Sequence, residues 1–274
     1  MKKVGSPLII LTILLLVTGC SSNSTINENK NEPPLASEQF RQTPEVQKNN
    51  EKVIHYGLTK STYIDKGIKI SYPQITNLEN GPKQDNLNTI IKTEALKGLN
   101  FYKVLDKNLN LEIDYKVTSQ GSNLLSIQYS GLGYLKDSAY PNNLFYTTNI
   151  DINKEKKTRL KDFININMVF VEKFRKGNYK SWSQELNQEV KTAIVDELNN
   201  TNDDSLINFF NNADSLDDIG LKEQNNIFTY FTEDSLGVSI GVHHALGDHA
   251  EFEIGYKDLG DLIKKDSNIW KDFK

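Results

Sequence analysis

Leu109-Asn110-Leu111-Glu112-Ile113-Asp114-Tyr115-Lys116-Val117 is the stretch that decides the fold class. Every odd position in it is apolar or aromatic, and every even position is polar or charged. Successive side chains of a strand point to opposite faces, so this is a strand with one face buried and one in water, the pattern of antiparallel sheet. Gly121-Ser122-Asn123 follows as a hairpin turn, and Leu125, Ile127 and Tyr129 resume the alternation on a second strand. Tyr134 to Asn143 is a polar loop containing Pro141. Leu144, Tyr146, Thr148, Ile150 and Ile152 then carry the same period through a third strand, which turns at Asn153 to Lys157. Three such strands in succession predict a meander.

Upstream, Val53-Ile54-His55-Tyr56-Gly57-Leu58 and Gly67-Ile68-Lys69-Ile70-Ser71-Tyr72-Pro73 both alternate and end at turn formers, which predicts two short strands. Asn80-Gly81-Pro82 stops the extended chain. Beyond it, with Asp85 as N-cap, Leu87, Ile91, Ala95 and Leu99 recur every four residues and predict a helix over about 84–100. Downstream of Arg159-Leu160-Lys161-Asp162-Phe163 the pattern is irregular. Ser181 and Gln184 can form a capping box ahead of Leu186, Val190, Ala193, Ile194 and Leu198, a second helix over about 183–199. A short helix capped by Asp203 or Asp204 runs through Phe209 and Phe210, and Asp214, Asp217 and Asp218 read as loop. Strands follow at 227–231, 236–242 and 252–256, then a terminal helix from Asp258 to about Lys265, with Trp270 and Phe273 folding back on the core. Helices and strands neither alternate strictly nor segregate, so the expected class is α+β, an antiparallel meander sheet with two main packing helices.

The start of the chain speaks to location. Lys2 and Lys3 precede an apolar run from Leu8 to Val17 that ends in Leu16-Val17-Thr18-Gly19-Cys20, with small residues immediately before the only cysteine. A charged segment followed by an apolar one is the layout of a secretory leader. A run of ten residues, interrupted by Thr12, falls short of the roughly 20 that span a bilayer. This end resembles the lipobox of bacterial lipoproteins, which implies a signal peptide over 1–19, lipid on Cys20, and attachment to the outer side of a bacterial membrane. From Ser21 to about Asn50 the chain is rich in Ser, Asn, Glu, Lys, Gln and Pro. It cannot bury enough apolar surface to offset its ordering entropy, so 20–50 is expected to be a disordered tether with a span of roughly 30 Å.

With Cys20 lipidated, no thiol is left for a disulfide, and stability has to come from packing. The formal charge is −4, and loss of Lys2 and Lys3 with the leader takes it to −6. An acidic surface gains nothing from nucleic acid or anionic headgroups; any partner that charge steers towards it is basic.

Several segments, in their order, carry a resemblance. They are Ile70-Ser71-Tyr72-Pro73-Gln74-Ile75 followed by Leu87-Asn88; Ser138-Ala139-Tyr140-Pro141-Asn142-Asn143; Asn149-Ile150-Asp151-Ile152; Leu160-Lys161-Asp162-Phe163; and the chain from Leu236 to Ile254-Gly255-Tyr256-Lys257-Asp258-Leu259. Together, over about 55–265, they resemble the tandem extracellular region of lysozyme-sensing anti-sigma factors and the region ahead of the catalytic domain in certain peptidoglycan deacetylases. Two departures stand out: Tyr140 where the family often has histidine, and Gly255 where it often has proline. The resemblance implies two modules, 51–120 and 121–274, that can also pack as one domain. It also implies an ectodomain without the anti-sigma factor's cytoplasmic arm or the deacetylase domain. The expected ligand is cell-wall-associated, lysozyme-like protein or peptidoglycan.

The residues themselves offer few centres for chemistry. No Gly-x-Ser-x-Gly elbow is present, and no mature cysteine can serve as nucleophile. His243, His244, Asp248 and His249, with Glu251, lie within nine residues. A loop can fold His244 and His249 onto one zinc ion with Asp248 or Glu251 completing the set, though the spacing is not His-Glu-x-x-His and strand alternation sends His243 and His244 apart. The other reading is a polar connection with ordinary hydrogen bonds. A calcium loop starting at Asn200 fails, with Ser205 at the sixth position and Asn211 at the twelfth. The acidic residues there read as a solvated face. Gly131-Leu132-Gly133 is a hairpin feature, not a dinucleotide loop. Tyr129, Tyr134, Tyr140, Phe145 and Tyr146 flank the 134–143 loop, either as core or as recognition surface.

From this the expected function is a surface-tethered, non-enzymatic binding lipoprotein without cofactor, with Tyr134, Tyr140, Asn142 and Asn143 as ligand contacts. The alternatives are a metal-dependent cell-wall glycan hydrolase using the 243–251 cluster and a structural envelope lipoprotein.

Overall fold

The stretch opening at Leu109 forms β3 (Leu109–Gln120), and its odd residues Leu109, Leu111 and Ile113 are buried while the even ones between them are exposed. β4 (Leu124–Leu135), β5 (Asn142–Asp151) and β6 (Lys156–Thr158) follow as antiparallel neighbours in chain order, which is the expected meander with one strand more. The computed structural model describes residues 54–102, 108–136, 138–180, 188–217, 219 and 226–273. Cys20, the 1–19 leader, the 20–50 tether, the Ser181 and Gln184 capping box and Asp218 lie outside the described residues.

Ahead of the meander, β1 (Gly57–Asp65) and β2 (Ile68–Thr76) form a hairpin, and β2 runs parallel to β3 through the pairs Ile68↔Leu111 and Ile70↔Ile113. The sheet order is therefore β1-β2-β3-β4-β5-β6, antiparallel except at one join. The first strand begins four residues later than Val53 predicts. Its residues Thr59 to Thr62 are polar because β1 is an edge strand, tied to β3 by the Lys60–Asp114 pair at 2.9 Å rather than by a buried face.

The parallel join is made by α1 (Gly81–Leu96), whose Leu87, Ile91 and Ala95 are fully buried. Asn80, not Asp85, caps it. The Asn80 Oδ1 accepts the Lys83 N–H at 3.0 Å, and Pro82 sits in the first turn, where a missing N–H costs nothing. Asn80-Gly81-Pro82 thus starts the helix that it was expected to precede as a stop. At the other end Tyr146 on β5 donates its hydroxyl to the Ala95 carbonyl at 2.6 Å, and a Cβ on Gly98 would meet that same ring at 2.6 Å.

Every residue of β5 from Leu144 to Asp151 is buried, not only the even set, because a second sheet covers the odd face. This sheet has the order β7-β10-β9-β8, all antiparallel: β7 (Asn178–Lys180), β8 (Phe228–Phe231), β9 (Ser235–Gly241) and β10 (His249–Gly255). On it pack α2 (Leu160–Phe163), α3 (Met168–Arg175), α4 (Gln188–Asn200) and α5 (Asp203–Asn212). Phe163, Phe170, Phe174, Phe210, Phe231, Phe252 and Trp270 form the centre of this second core. α3 falls where the sequence reads as irregular; Asn167 caps it through the Phe170 N–H at 3.2 Å. Asn202 rather than an aspartate caps α5. α6 (Tyr256–Leu259) is shorter than expected, since Gly260 at φ +49° turns the chain out of the helix. Trp270 and Phe273 fold back as predicted, with the Trp270 Nε1–H on the Phe163 carbonyl at 3.1 Å and Phe273 stacked on Phe231.

The β3–β4 hairpin crosses residue 120 without interruption. The first core gathers residues from Tyr56 to Ile152 with Leu216, Phe228 and Tyr230, and the second runs from Leu160 to Trp270 with Leu124. Between them lies a buried polar seam. The outer edge of β8 would leave the Thr229 N–H and C=O and the Phe231 N–H unpaired, a cost of about 1–3 kcal/mol for each such buried group. Asp214 Oδ1 takes the Thr229 N–H at 2.6 Å, Thr147 and Asn149 donate to the Thr229 carbonyl at 2.6 and 2.8 Å, and Ser126 Oγ takes the Phe231 N–H at 3.0 Å. Asp214, which the sequence reads as loop, is buried in that loop as an acceptor for the edge of β8.

Candidate functional site

The expected contact residues and the expected metal cluster come from two connections, one between β4 and β5 and one between β9 and β10. In the first, Ser138 closes the turn onto the Leu135 carbonyl through its N–H (3.0 Å) and its hydroxyl (2.7 Å), leaving Tyr140 about half exposed. In the second, His244–Leu246 make one 3-10 turn, and Gly247 (φ +106°) and Asp248 (φ +70°) are both left-handed before β10 begins. A left-handed aspartate is uncommon and holds its side chain in a fixed direction.

That side chain joins the two connections. Asp248 Oδ2 accepts the Asn143 N–H at 2.8 Å, and Asp248 Oδ1 lies 2.8 Å from His244 Nδ1. The His244 ring stacks on Tyr140, with centroids 3.9 Å apart and planes 9° from parallel. Asp248 and Asn143 also line a cavity of about 250 Å³, whose walls include Asn142 and His249 together with Phe101, Leu144, Phe145, Asn226 and Val242. Of the expected contacts, Tyr140, Asn142 and Asn143 are thus brought together, with Asp248 as their hub. Tyr134 is not among them. It lies with Leu132 and Pro141 along a separate, more apolar hollow on the outer side of the first sheet. Tyr129, Phe145 and Tyr146 are core, the two tyrosines stacked at 4.7 Å. Gly131 and Gly133 belong to β4 itself rather than to a turn; a Cβ on Gly133 would strike the Tyr102 hydroxyl, and one on Gly131 the Glu112 carbonyl of β3.

The histidines diverge. His243 points out to α4, its Nδ1 3.0 Å from Glu197 Oε2. His244 is held by Asp248 and Tyr140. His249 and Glu251, two apart on β10, both turn inward towards the first sheet, as strand alternation requires. His249 packs on Phe145 at 4.6 Å between ring centroids, and burial pushes its imidazole down to about 3, so the ring is neutral. Glu251 accepts from Gln128 Nε2 at 3.1 Å, with its carboxyl raised by burial. Among the described residues no three His, Cys, Asp or Glu side chains are placed to hold a metal ion. Folding keeps His244 and Asp248 together but sends His243 to Glu197 and turns His249 and Glu251 towards the first sheet. Phe101 and Val242, which close the cavity, carry no sequence signal beyond being apolar.

No family model matches the chain, and no curated protein does. Among the solved structures to which the chain is similar are two DUF3298 proteins. One is a member of the DUF3298 family from Bacteroides fragilis NCTC 9343, with 12% identity and a TM-score of 0.43, covering 80% of this chain and 96% of that one. The other is a DUF3298 family protein from Pseudomonas aeruginosa PAO1, with 12% identity and a TM-score of 0.42, covering 77% and 93%.

Proposed function

We propose that the chain is a non-enzymatic binding module, tethered through lipid on Cys20 to the outer face of a bacterial membrane, that recognises a cell-wall-associated ligand. The observation that carries this reading is the meeting of two connections at Asp248. It joins the Tyr140–His244 stack, through the Asp248 carboxylate, to a cavity lined by that carboxylate and by Asn142 and Asn143. Binding sites are concave, with a few placed polar groups set among apolar walls. The resemblance to lysozyme-sensing ectodomains supplies the class of ligand, peptidoglycan or a lysozyme-like protein that acts on it, and a net charge of −6 after processing favours the basic enzyme. The divergence of the three histidines supports binding over metal-dependent hydrolysis.

The test has two arms. In cells, Cys20→Ser is expected to move the protein from the membrane fraction to the medium or to leave it unprocessed; unchanged fractionation contradicts the lipid anchor. In vitro, the full chain in detergent is expected to pellet with purified peptidoglycan sacculi, or with sacculi carrying lysozyme, in a saturable manner. Failure to pellet with either contradicts the binding role.

A further inference from the structure

We infer that the cavity lined by Asp248 is a subsite for a single uncharged pyranose ring, held by Asn142, Asn143 and Asp248 against Phe101 and Phe145. The inference rests on the binding role proposed above and names the chemistry of its site. Size sets the first limit. At about 250 Å³ the cavity lies below the roughly 300–1,000 Å³ typical of drug-sized ligands and has room for one ring, not two. Its walls set the second. A sugar presents C–H faces and hydroxyl edges, and the cavity offers aromatic and aliphatic surface beside side-chain amides and a carboxylate.

Asp248 makes the polar part selective. An ionised carboxylate offers about four lone-pair positions. Asn143 N–H and His244 Nδ1 occupy one on each oxygen, which leaves positions for two ligand hydroxyls. Those two bonds, with the left-handed backbone at Gly247 and Asp248, hold the carboxylate in place before any ligand arrives, so little ordering cost falls on binding. Among the described residues, those lining the cavity include no lysine or arginine. His249 in its wall is kept neutral by burial. An anionic sugar would therefore face the Asp248 carboxylate with no compensating cation from these described residues, whereas neutral hydroxyls are good donors to it. The exposed Tyr140–His244 stack beside the cavity gives a flat surface for the next ring of a glycan.

The experiment is saturation-transfer NMR with calorimetric titration on the full chain, in a polyoxyethylene detergent that carries no sugar headgroup. The probes are glucose, N-acetylglucosamine and, as the anionic control, N-acetylmuramic acid. The expected result is saturable binding of a neutral sugar with a Kd in the millimolar range, as befits one ring, and at least tenfold weaker binding of the anion. Asn142→Ala and Asp248→Asn should each weaken neutral-sugar binding at least tenfold. Asn142 is exposed at the start of a strand, so its variant keeps the test valid if Asp248→Asn unfolds. No saturation by either neutral sugar, equal binding of the anion, or unchanged binding by Asn142→Ala overturns the inference. If the chain still pellets with sacculi in that event, only this subsite assignment falls; if pelleting also fails, the binding role falls with it.

Discussion

His249 shows how burial makes one residue a pH sensor of stability. Its imidazole is held down to about 3 in the folded chain, while an exposed histidine titrates near 6.5. Below 6.5 the unfolded chain takes up a proton that the folded chain refuses, so this contribution is intact above 6.5 and is lost as pH falls towards 3. At pH 5 the loss is about 2 kcal/mol, from 1.36 kcal/mol per pH unit over the interval below 6.5. Asp214 and Glu251, both raised by burial, act in the opposite sense and gain on acidification. The comparison that isolates His249 is therefore parent against His249→Phe. Melting at pH 7 and pH 5 should show a smaller acid loss in the variant, by about that 2 kcal/mol. Equal losses would contradict a neutral buried imidazole.

At the scale of elements, Asp214 ties α2 to β8. Its carboxylate accepts the Leu160 N–H at 2.8 Å, the Thr229 N–H at 2.6 Å and the Thr229 hydroxyl at 2.8 Å. Asp214→Ala leaves two buried N–H groups without this acceptor and should cost about 3–5 kcal/mol, read as a drop in the denaturation midpoint. Asp214→Asn keeps one acceptor and should cost less. If the alanine variant loses under about 1 kcal/mol, the seam does not carry the edge of β8 in the way described. Nothing local marks Asp214 as different from Asp217, which is exposed; only its neighbours in space distinguish them.

The same contrast governs which elements were legible in the sequence. β3 could be read because one face is wet, and period two survives only where the two faces differ. β5 lies where period two puts it, but its second buried face leaves no apolar signal, since Thr147 and Asn149 on that face are polar and meet Thr229 across the seam. α1 and α4 repeat apolar residues over three turns, which sets a readable period; α3 is eight residues long, and its exposed Met168 and Val169 beside the buried Phe170, Val171 and Phe174 blur the period. At the site, Tyr140, Asn142, Asn143 and Asp248 were each singled out, but as members of two unrelated groups. The sequence separation of 105 between Asn143 and Asp248 puts their hydrogen bond beyond any spacing rule.

Over the whole molecule, two sheets and two cores meet along a line of hydrogen-bonded polar side chains, and the site sits where a connection from each sheet comes together. This explains why a cavity lies there and not on either sheet alone: neither connection has the full set of polar groups, and Asp248 completes it by reaching across. A ligand bound at this place touches both halves of the fold, so the account's central claim is that cell-wall recognition runs through the Asp248-centred junction. The direct measurement is titration of the full chain and of a Tyr140→Ala, Asn142→Ala double variant with solubilised peptidoglycan fragments and, separately, with lysozyme, each at low and physiological salt. Exposed ion pairs are worth about 0–1 kcal/mol and are screened, so recognition through this junction should persist at physiological salt. The account predicts saturable binding of at least one of the two by the parent chain and a loss of at least tenfold in the double variant, with its melting temperature unchanged. Saturable binding that the double variant retains in full would contradict it.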